Sequence, residues 1–213
     1  MATADGRTPA SDAVAHYESL LEQHGAVAPG VGWNSDFAQT ERFAQLCEIL
    51  PAEDAPISVL DFGCGFGSLA GFLAASRRQF TYVGYDASPA MIARARGQVS
   101  DSRVRFESDW ERVPSCDYVI ASGVFNVRGD WSDSRWWEYI QDTLRTIHDR
   151  AHTAWSANFL TSYSDRELMR PELYYADPLA VFDWCKRHLS RFVALHHDYP
   201  LYDFTILIRK ERK

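Results

Sequence analysis

The chain has little cysteine, no run of basic residues and no long apolar stretch, and each shortage removes a class of protein. Its four cysteines, Cys47, Cys64, Cys116 and Cys185, are scattered without a C-x-x-C pair. Neither a zinc site nor a disulfide framework is therefore expected, and no metal site is assigned. No segment reaches the roughly 18–20 unbroken apolar residues of a membrane span, so no membrane association is expected. The first residues, MATADGRTPASDAVA, lack an apolar core behind a basic start, which points to a cytoplasmic protein without a secretory signal. A formal charge of −7 and the lack of any Lys/Arg cluster argue against a nucleic-acid partner, because phosphate binding relies on a basic surface. A small molecule or a peptide suits this surface better. No pattern fixes an oligomeric state.

What remains is ordinary globular material: 213 residues, 46% hydrophobic and 24% charged, enough for one domain around one core. The apolar runs ISVLDF (57–62), FTYVGYD (80–86) and CDYVIASGVF (116–125), with a shorter RVRFES (103–108), read as strands. Between them, GSLAGFLAASR opens on a Gly-Ser cap. SPAMIARARGQ opens with Ser88 as cap and Pro89 at the first helical position, and Gly97 is expected to stop it. Alternating strands and helices signal a parallel sheet covered on both faces. Residues 132–150 carry an amphipathic helix with an apolar stripe of Trp136, Tyr139, Ile140, Thr143, Leu144 and Ile147. A fifth strand (153–160), a helix from Asp177-Pro178 to 189 and two final strands joined by YPLYD complete the chain. Ahead of the first strand, residues 11–56 offer two helices that cover the sheet, leaving 57–213 for the core and the substrate loops.

The stretch VLDFGCGFG (59–67) ends a strand on three alternating glycines. Such a turn, leading into a helix, presents unpaired backbone N–H groups and the positive end of the helix dipole. In an open parallel sheet it borders the ligand crevice at the carboxyl ends of the strands. The dinucleotide fingerprint G-x-G-x-x-G is missed by one place, because Ser68 stands where the third glycine belongs and Gly67 comes early. The Lys-Ser/Thr ending of a phosphate-binding P-loop is absent.

VLDFGCGFG closely resembles the first motif of class I S-adenosylmethionine-dependent methyltransferases, hydrophobic residues followed by D/E-x-G-x-G-x-G. The resemblance continues through YVGYDASPAMIARAR, like the family's second strand, acidic residue and helix, and through VRFESDW, like its third-strand motif. It spans about residues 57–125, and the last two strands match the family's closing hairpin. The fold it implies is α/β: a Rossmann-like, doubly wound, mostly parallel seven-stranded sheet with a C-terminal antiparallel hairpin and an N-terminal helical cover. The function it implies is methyl transfer from S-adenosylmethionine to an oxygen or nitrogen of a small-molecule metabolite. The alternatives are a peptide or protein acceptor, a nucleotide-dependent oxidoreductase and a non-catalytic cofactor-binding scaffold.

On this resemblance Gly63, Cys64, Gly65 and Gly67 run beneath the amino-acid half of the cofactor, with Asp61 as its polar anchor. Asp86, followed by Ala87 and Ser88, holds the ribose, its two oxygens suited to two hydroxyls. Asp109 meets the adenine amino group, Trp110 packs on the ring, and Ser122 and Gly123 border the methionine part. Asp86 as a cap near Ser88 and Trp110 as a core aromatic are the structural rivals. In GWNSDFAQTERF, Gln39 and Arg42 share a helix face, Arg42 suits the cofactor carboxylate and Trp33 closes over it. The [DN]-P-P-[YFW] box of relatives that methylate nucleobase amines is absent from ASGVFNVRGDW, which argues against that chemistry. Asn126 and Arg128, with Tyr163, Tyr174 and Tyr175 of the loop after the fifth strand, are expected at the acceptor. A sulfonium methyl is already activated, so alignment of the nucleophile carries most of the catalysis. Where a base is needed, His197, Asp198 and Tyr199 of HHDYPLYD are candidates, and no catalytic residue is assigned beyond them.

Overall fold

In the computed structural model, which describes residues 6–24, 36–76 and 79–211, two helices, α1 (Pro9–His24) and α2 (Asp36–Cys47), precede the first strand, β1 (Ile57–Phe62). There follow α3 (Ser68–Ser76), β2 (Phe80–Tyr85), α4 (Pro89–Gln98), β3 (Val104–Glu107), β4 (Cys116–Ala121), α5 (Asp133–Arg150), β5 (Ala151–Leu160), α6 (Pro178–His188), β6 (Phe192–His196) and β7 (Asp203–Arg209). The seven strands form one sheet in the order β3-β2-β1-β4-β5-β7-β6. The first five pair in parallel with one another. β7 inserts antiparallel between β5 and β6. β6 therefore runs parallel to the first five, and the β6–β7 turn emerges at the carboxyl edge. Strand order reverses around β1, which pairs with β2 on one side and β4 on the other, and this is where an open α/β sheet forms its crevice.

The sequence explains why these elements sit where they do. Val59 and Leu60 of β1 are fully buried and point to opposite faces, as a strand covered on both sides requires. One face packs α2, α3 and α4 through Leu46, Leu69, Leu73 and Ile92 against Val59 and Tyr82. The other packs α5 and α6 through Trp136, Ile140, Leu144 and Cys185 against Leu60, Trp155 and Phe204. Ser88 caps α4 by accepting from Met91 N–H, and Ser132 caps α5 by accepting from Arg135 N–H.

Several boundaries depart from the sequence reading, and three of them have a clear local cause or bear on the site. The helix of Ser88 passes Gly97 and ends at Gln98, because Val99 N–H can still close on Ala95 O and open space surrounds Gly97. The run 116–125 stays in the sheet only to Ala121, because Gly123 turns the chain with φ +74° and gives its N–H to the Asn158 side chain. The strand of Tyr82 stops at Tyr85, which puts Asp86 in the turn that follows.

Gly84 lies inside β2, where a Cβ would stand 2.6 Å from the Phe106 ring and 2.9 Å from Cys64 Sγ. Gly84→Ala is expected to cost about 1–3 kcal/mol in urea unfolding by overpacking. An unchanged midpoint would mean that Phe106 can swing aside.

Candidate active site

The glycine turn after β1 is bound to the end of β2. Gly63 N–H and Cys64 N–H both donate to Tyr85 O, at 2.8 and 2.9 Å. Gly65 N–H donates to Asp86 Oδ2 at 2.9 Å, and Gly67 N–H to Cys64 O at 2.9 Å. The expected row of unpaired N–H groups is thus largely used inside the protein. Positive φ values of 76°, 53° and 86° at Gly63, Gly65 and Gly67 make this wrap possible. A Cβ at Gly63 would come within 2.7 Å of Val124, and one at Gly67 within 2.6 Å of Phe106. The turn offers close approach and carboxylates rather than an anion cradle.

A cavity of about 400 Å³ opens above it. The turn supplies Gly63, Cys64 and Gly65; the end of β1 supplies Asp61; the loop after β2 supplies Asp86, Ala87 and Ser88. Trp110 follows β3, and Ser122, Gly123 and Val124 follow β4. Tyr139 and Thr143 of α5 close one wall, while Val14 and Tyr17 of α1 form the roof, with Gln39 of α2 beside them. Side chains hold α1 down at three points. Tyr17 OH donates to Gly123 O at 3.0 Å, Ser88 OH to Glu18 Oε1 at 2.5 Å, and Trp131 Nε1–H to Asp12 Oδ2 at 3.0 Å.

The electrostatics are those of buried carboxylates. Asp61 is 3% exposed and accepts from Tyr82 OH at 2.5 Å. Burial raises its pKa to about 7; the Tyr82 hydrogen bond opposes that rise and the Asp86 charge adds to it. Burial also raises Asp86, held back by the N–H groups of Ser88 and Gly65. Tyr139 is pushed up to about 12 and Tyr17 further, both mainly by burial, so both keep their protons near neutrality. The Cys64 thiol, also raised by burial, is a small filler and not a nucleophile. Ser122 Oγ is buried at the cavity with no hydrogen-bond partner among the described residues. The described lining contains Asp61 and Asp86 but no Lys, Arg or His.

The residues singled out by the sequence divide into two groups. Asp61, Gly63, Cys64, Gly65, Asp86, Ala87, Ser88, Trp110, Ser122 and Gly123 meet at the cavity. The others lie elsewhere. Gly67 faces Phe106 beneath the turn. Asp109 is exposed and caps the short 3-10 turn of Trp110–Arg112 by accepting from Glu111 N–H. Arg42 is buried on the β7 side, its Nε donating to Asp203, because a buried carboxylate there requires a cation. Trp33 lies outside the described residues.

The expected acceptor residues serve the fold around the 170s loop. Arg128 donates to the backbone oxygens of Trp131 and Pro171, and Val127 bridges Leu173. Tyr174 packs on the core, Tyr175 OH accepts from Arg170 N–H, Asn126 is buried, and Tyr163 is 67% exposed. His197 and Asp198 border a separate hollow with Glu48 and His196, while Tyr199 is buried and shares a hydrogen bond with Thr205. None of the three base candidates lines the cavity. Tyr17, Tyr139 and Thr143 were not assigned to the site from the sequence. The available signal was a polar tip within an apolar stripe, at Tyr139 and Thr143.

Comparisons with known proteins bear on the family and the fold. A family model described as a methyltransferase domain matches residues 36–198. The protein Rv1506c of Mycobacterium tuberculosis, provisionally named a methyltransferase, is 44% identical over 163 residues, 73% of this chain and 94% of that one. Among solved structures, magnesium protoporphyrin IX methyltransferase from Synechocystis PCC 6803 with bound S-adenosylmethionine aligns with a TM-score of 0.71 and 13% identity, covering 98% of this chain and 100% of that one. Human N-acetylserotonin methyltransferase with S-adenosylmethionine gives 0.60 at 15% identity, over 96% of this chain and 67% of that one. Identities this low establish the likeness of fold alone. Among the described residues, no helix is long and apolar enough to cross a membrane, and no cluster of three or more His, Cys, Asp or Glu could hold a metal.

Asp61 has a folded-state pKa of about 7, above the unfolded value of about 3.9. Between these values the folded chain holds a proton that the unfolded chain has lost, so stability falls as pH rises from about 4 to about 7. In urea titrations of the ligand-free protein, Asp61→Asn should reduce this fall. An identical pH profile would show that Asp61 is ionised throughout.

Proposed function

Because the chain belongs to the methyltransferase-domain family and is an S-adenosylmethionine-dependent methyltransferase, we propose that its acceptor is a small metabolite methylated on oxygen or nitrogen. The carrying observation is the roofed cavity of about 400 Å³, whose described lining holds two carboxylates and no basic side chain. A neutral or cationic acceptor suits such a surface. An acidic one would have its charge buried unpaired.

The residues present fit the cofactor. Its sulfonium supplies an already activated methyl group. Asp86 retains lone pairs beside the bonds from Gly65 and Ser88 N–H and would take the ribose hydroxyls. Asp61 would face the amino group, and a nearby cation would favour its ionised form. Ser122 and Gly123, which line the cavity after β4, would border the methionine part. Trp110, fixed edge-on to Phe62 and Tyr85, would pack on the adenine. Tyr17 and Tyr139 remain protonated, so they can orient an acceptor but not deprotonate it. Catalysis on this reading is alignment in a water-poor site: the acceptor attacks through an oxygen or nitrogen lone pair, the sulfur departs with the electron pair of the broken S–CH3 bond, and the acceptor's O–H or N–H proton passes to solvent.

Asp86→Ala should weaken S-adenosylmethionine binding in calorimetry by roughly 10- to 100-fold for each charge-assisted hydrogen bond of about 1.5–3 kcal/mol that is lost. Unchanged affinity would mean the ribose lies elsewhere. In a panel of phenols, amines and carboxylic acids assayed for S-adenosylhomocysteine release, turnover is expected with the first two classes. A carboxylic acid as the best acceptor would contradict the charge argument.

A further inference from the structure

A buried polar chain runs from α2 to the edge of the cavity. Arg42 Nε–H donates to Asp203 at the start of β7. Asn158 of β5 donates Nδ2–H to the same carboxylate oxygen at 3.3 Å. Asn158 Oδ1 accepts Gly123 N–H at 2.8 Å, and Gly123 O accepts Tyr17 OH at 3.0 Å. Asn158 and Asp203 are both 0% exposed. An amide that donates at one end and accepts at the other has one workable orientation here. Asp203 therefore selects which end of Asn158 meets Gly123, and Arg42 supplies the cation that lets Asp203 sit there. Gly123 needs an external partner, since its φ of +74° takes it out of β4 and its N–H away from the strand ladder.

We propose that Arg42, Asp203 and Asn158 form a positioning relay that sets the Gly123 backbone at the cofactor and couples the seating of the helical cover to cofactor binding. None of the three lines the cavity, so each acts through Gly123 and is not a catalytic residue. The relay rests on the reading of the cavity as the cofactor site. Tyr17 completes it from the other side: Gly123, held by Asn158 through its N–H, holds α1 through its C=O. Cover and cofactor loop then share one set of bonds.

The test is Asn158→Asp, a near-isosteric change, in the full chain. Protonated, the new carboxyl can accept from Gly123 N–H and donate to Asp203 as the amide does. Ionised, it cannot donate and it repels Asp203. The other ionisable groups around this point are Arg42 on α2 and Tyr199 in the β6–β7 turn, with Glu41 beyond them. Calorimetry with S-adenosylmethionine is expected to show affinity about tenfold below wild type at about pH 8, with the gap closing to within about twofold at about pH 6. A gap that is absent, or equal at both pH values, overturns the relay. Arg42→Gln, changed at the far end of the chain, supplies a second reading should Asn158→Asp not fold. It should also bind S-adenosylmethionine several-fold more weakly, and wild-type affinity with a lowered unfolding temperature would reduce the chain to a structural role and overturn the relay. Wild type that binds while both variants match it refutes the relay alone. Wild type that does not bind refutes the cofactor reading and the relay with it.

Discussion

The bond from Gly65 N–H to Asp86 is the constraint on which the site depends. It ties the turn after β1 to the turn after β2, and the paired bonds from Gly63 and Cys64 to Tyr85 O lock it in place. With these donors committed, the loop has little left for a phosphate, which sets it apart from helix-start anion sites that offer free N–H groups. What faces the cavity instead is the other side of the Asp86 carboxylate. A hydroxyl-rich, phosphate-free ligand is what such a surface can hold. The third glycine follows from the same packing: it falls at Gly67 because Phe106 occupies the space where a side chain would go.

From that tie the remaining features follow. The β1–β4 reversal brings Ser122 and Gly123 to the opposite wall. Helix α1 closes the space by bonding to both walls at once, through Glu18 to Ser88 and through Tyr17 to Gly123. The enclosed carboxylates are costly to ionise in a dry site, so the site is electrostatically strained toward cations. A sulfonium cofactor that also bears an amino group relieves this strain, which links the energetics of binding to the charge of the reacting centre.

Much of this was legible in the sequence because the crevice is local in sequence as well as in space. Each wall residue follows directly on a strand: Asp61 ends β1, Asp86 succeeds β2, Trp110 lies just past β3 and Ser122 just past β4. A short pattern can carry such a site. Arg42 misled because its partner, Asp203, is 161 residues away, and nothing in a helix face announces a buried carboxylate on the last strand. Arg128 and the tyrosines of the 170s loop misled for the same reason, since the pairing of Val127 with Leu173 is long-range. Tyr139 and Thr143 look like ordinary stripe residues in the sequence because periodicity reports which side of a helix faces inward, not whether core or cavity lies there. The paired N–H groups of the glycine turn were invisible for a simpler reason: their acceptors belong to β2.

The most direct measurement is a structure of the full chain with S-adenosylhomocysteine bound. The ribose hydroxyls are expected within hydrogen-bond distance of Asp86, about 2.6–3.0 Å. The adenine is expected against Trp110 and the amino-acid end between Asp61 and Ser122–Gly123. A ligand seated in the hollow beside His197, or lying in the cavity with Asp86 facing no hydroxyl, would contradict it.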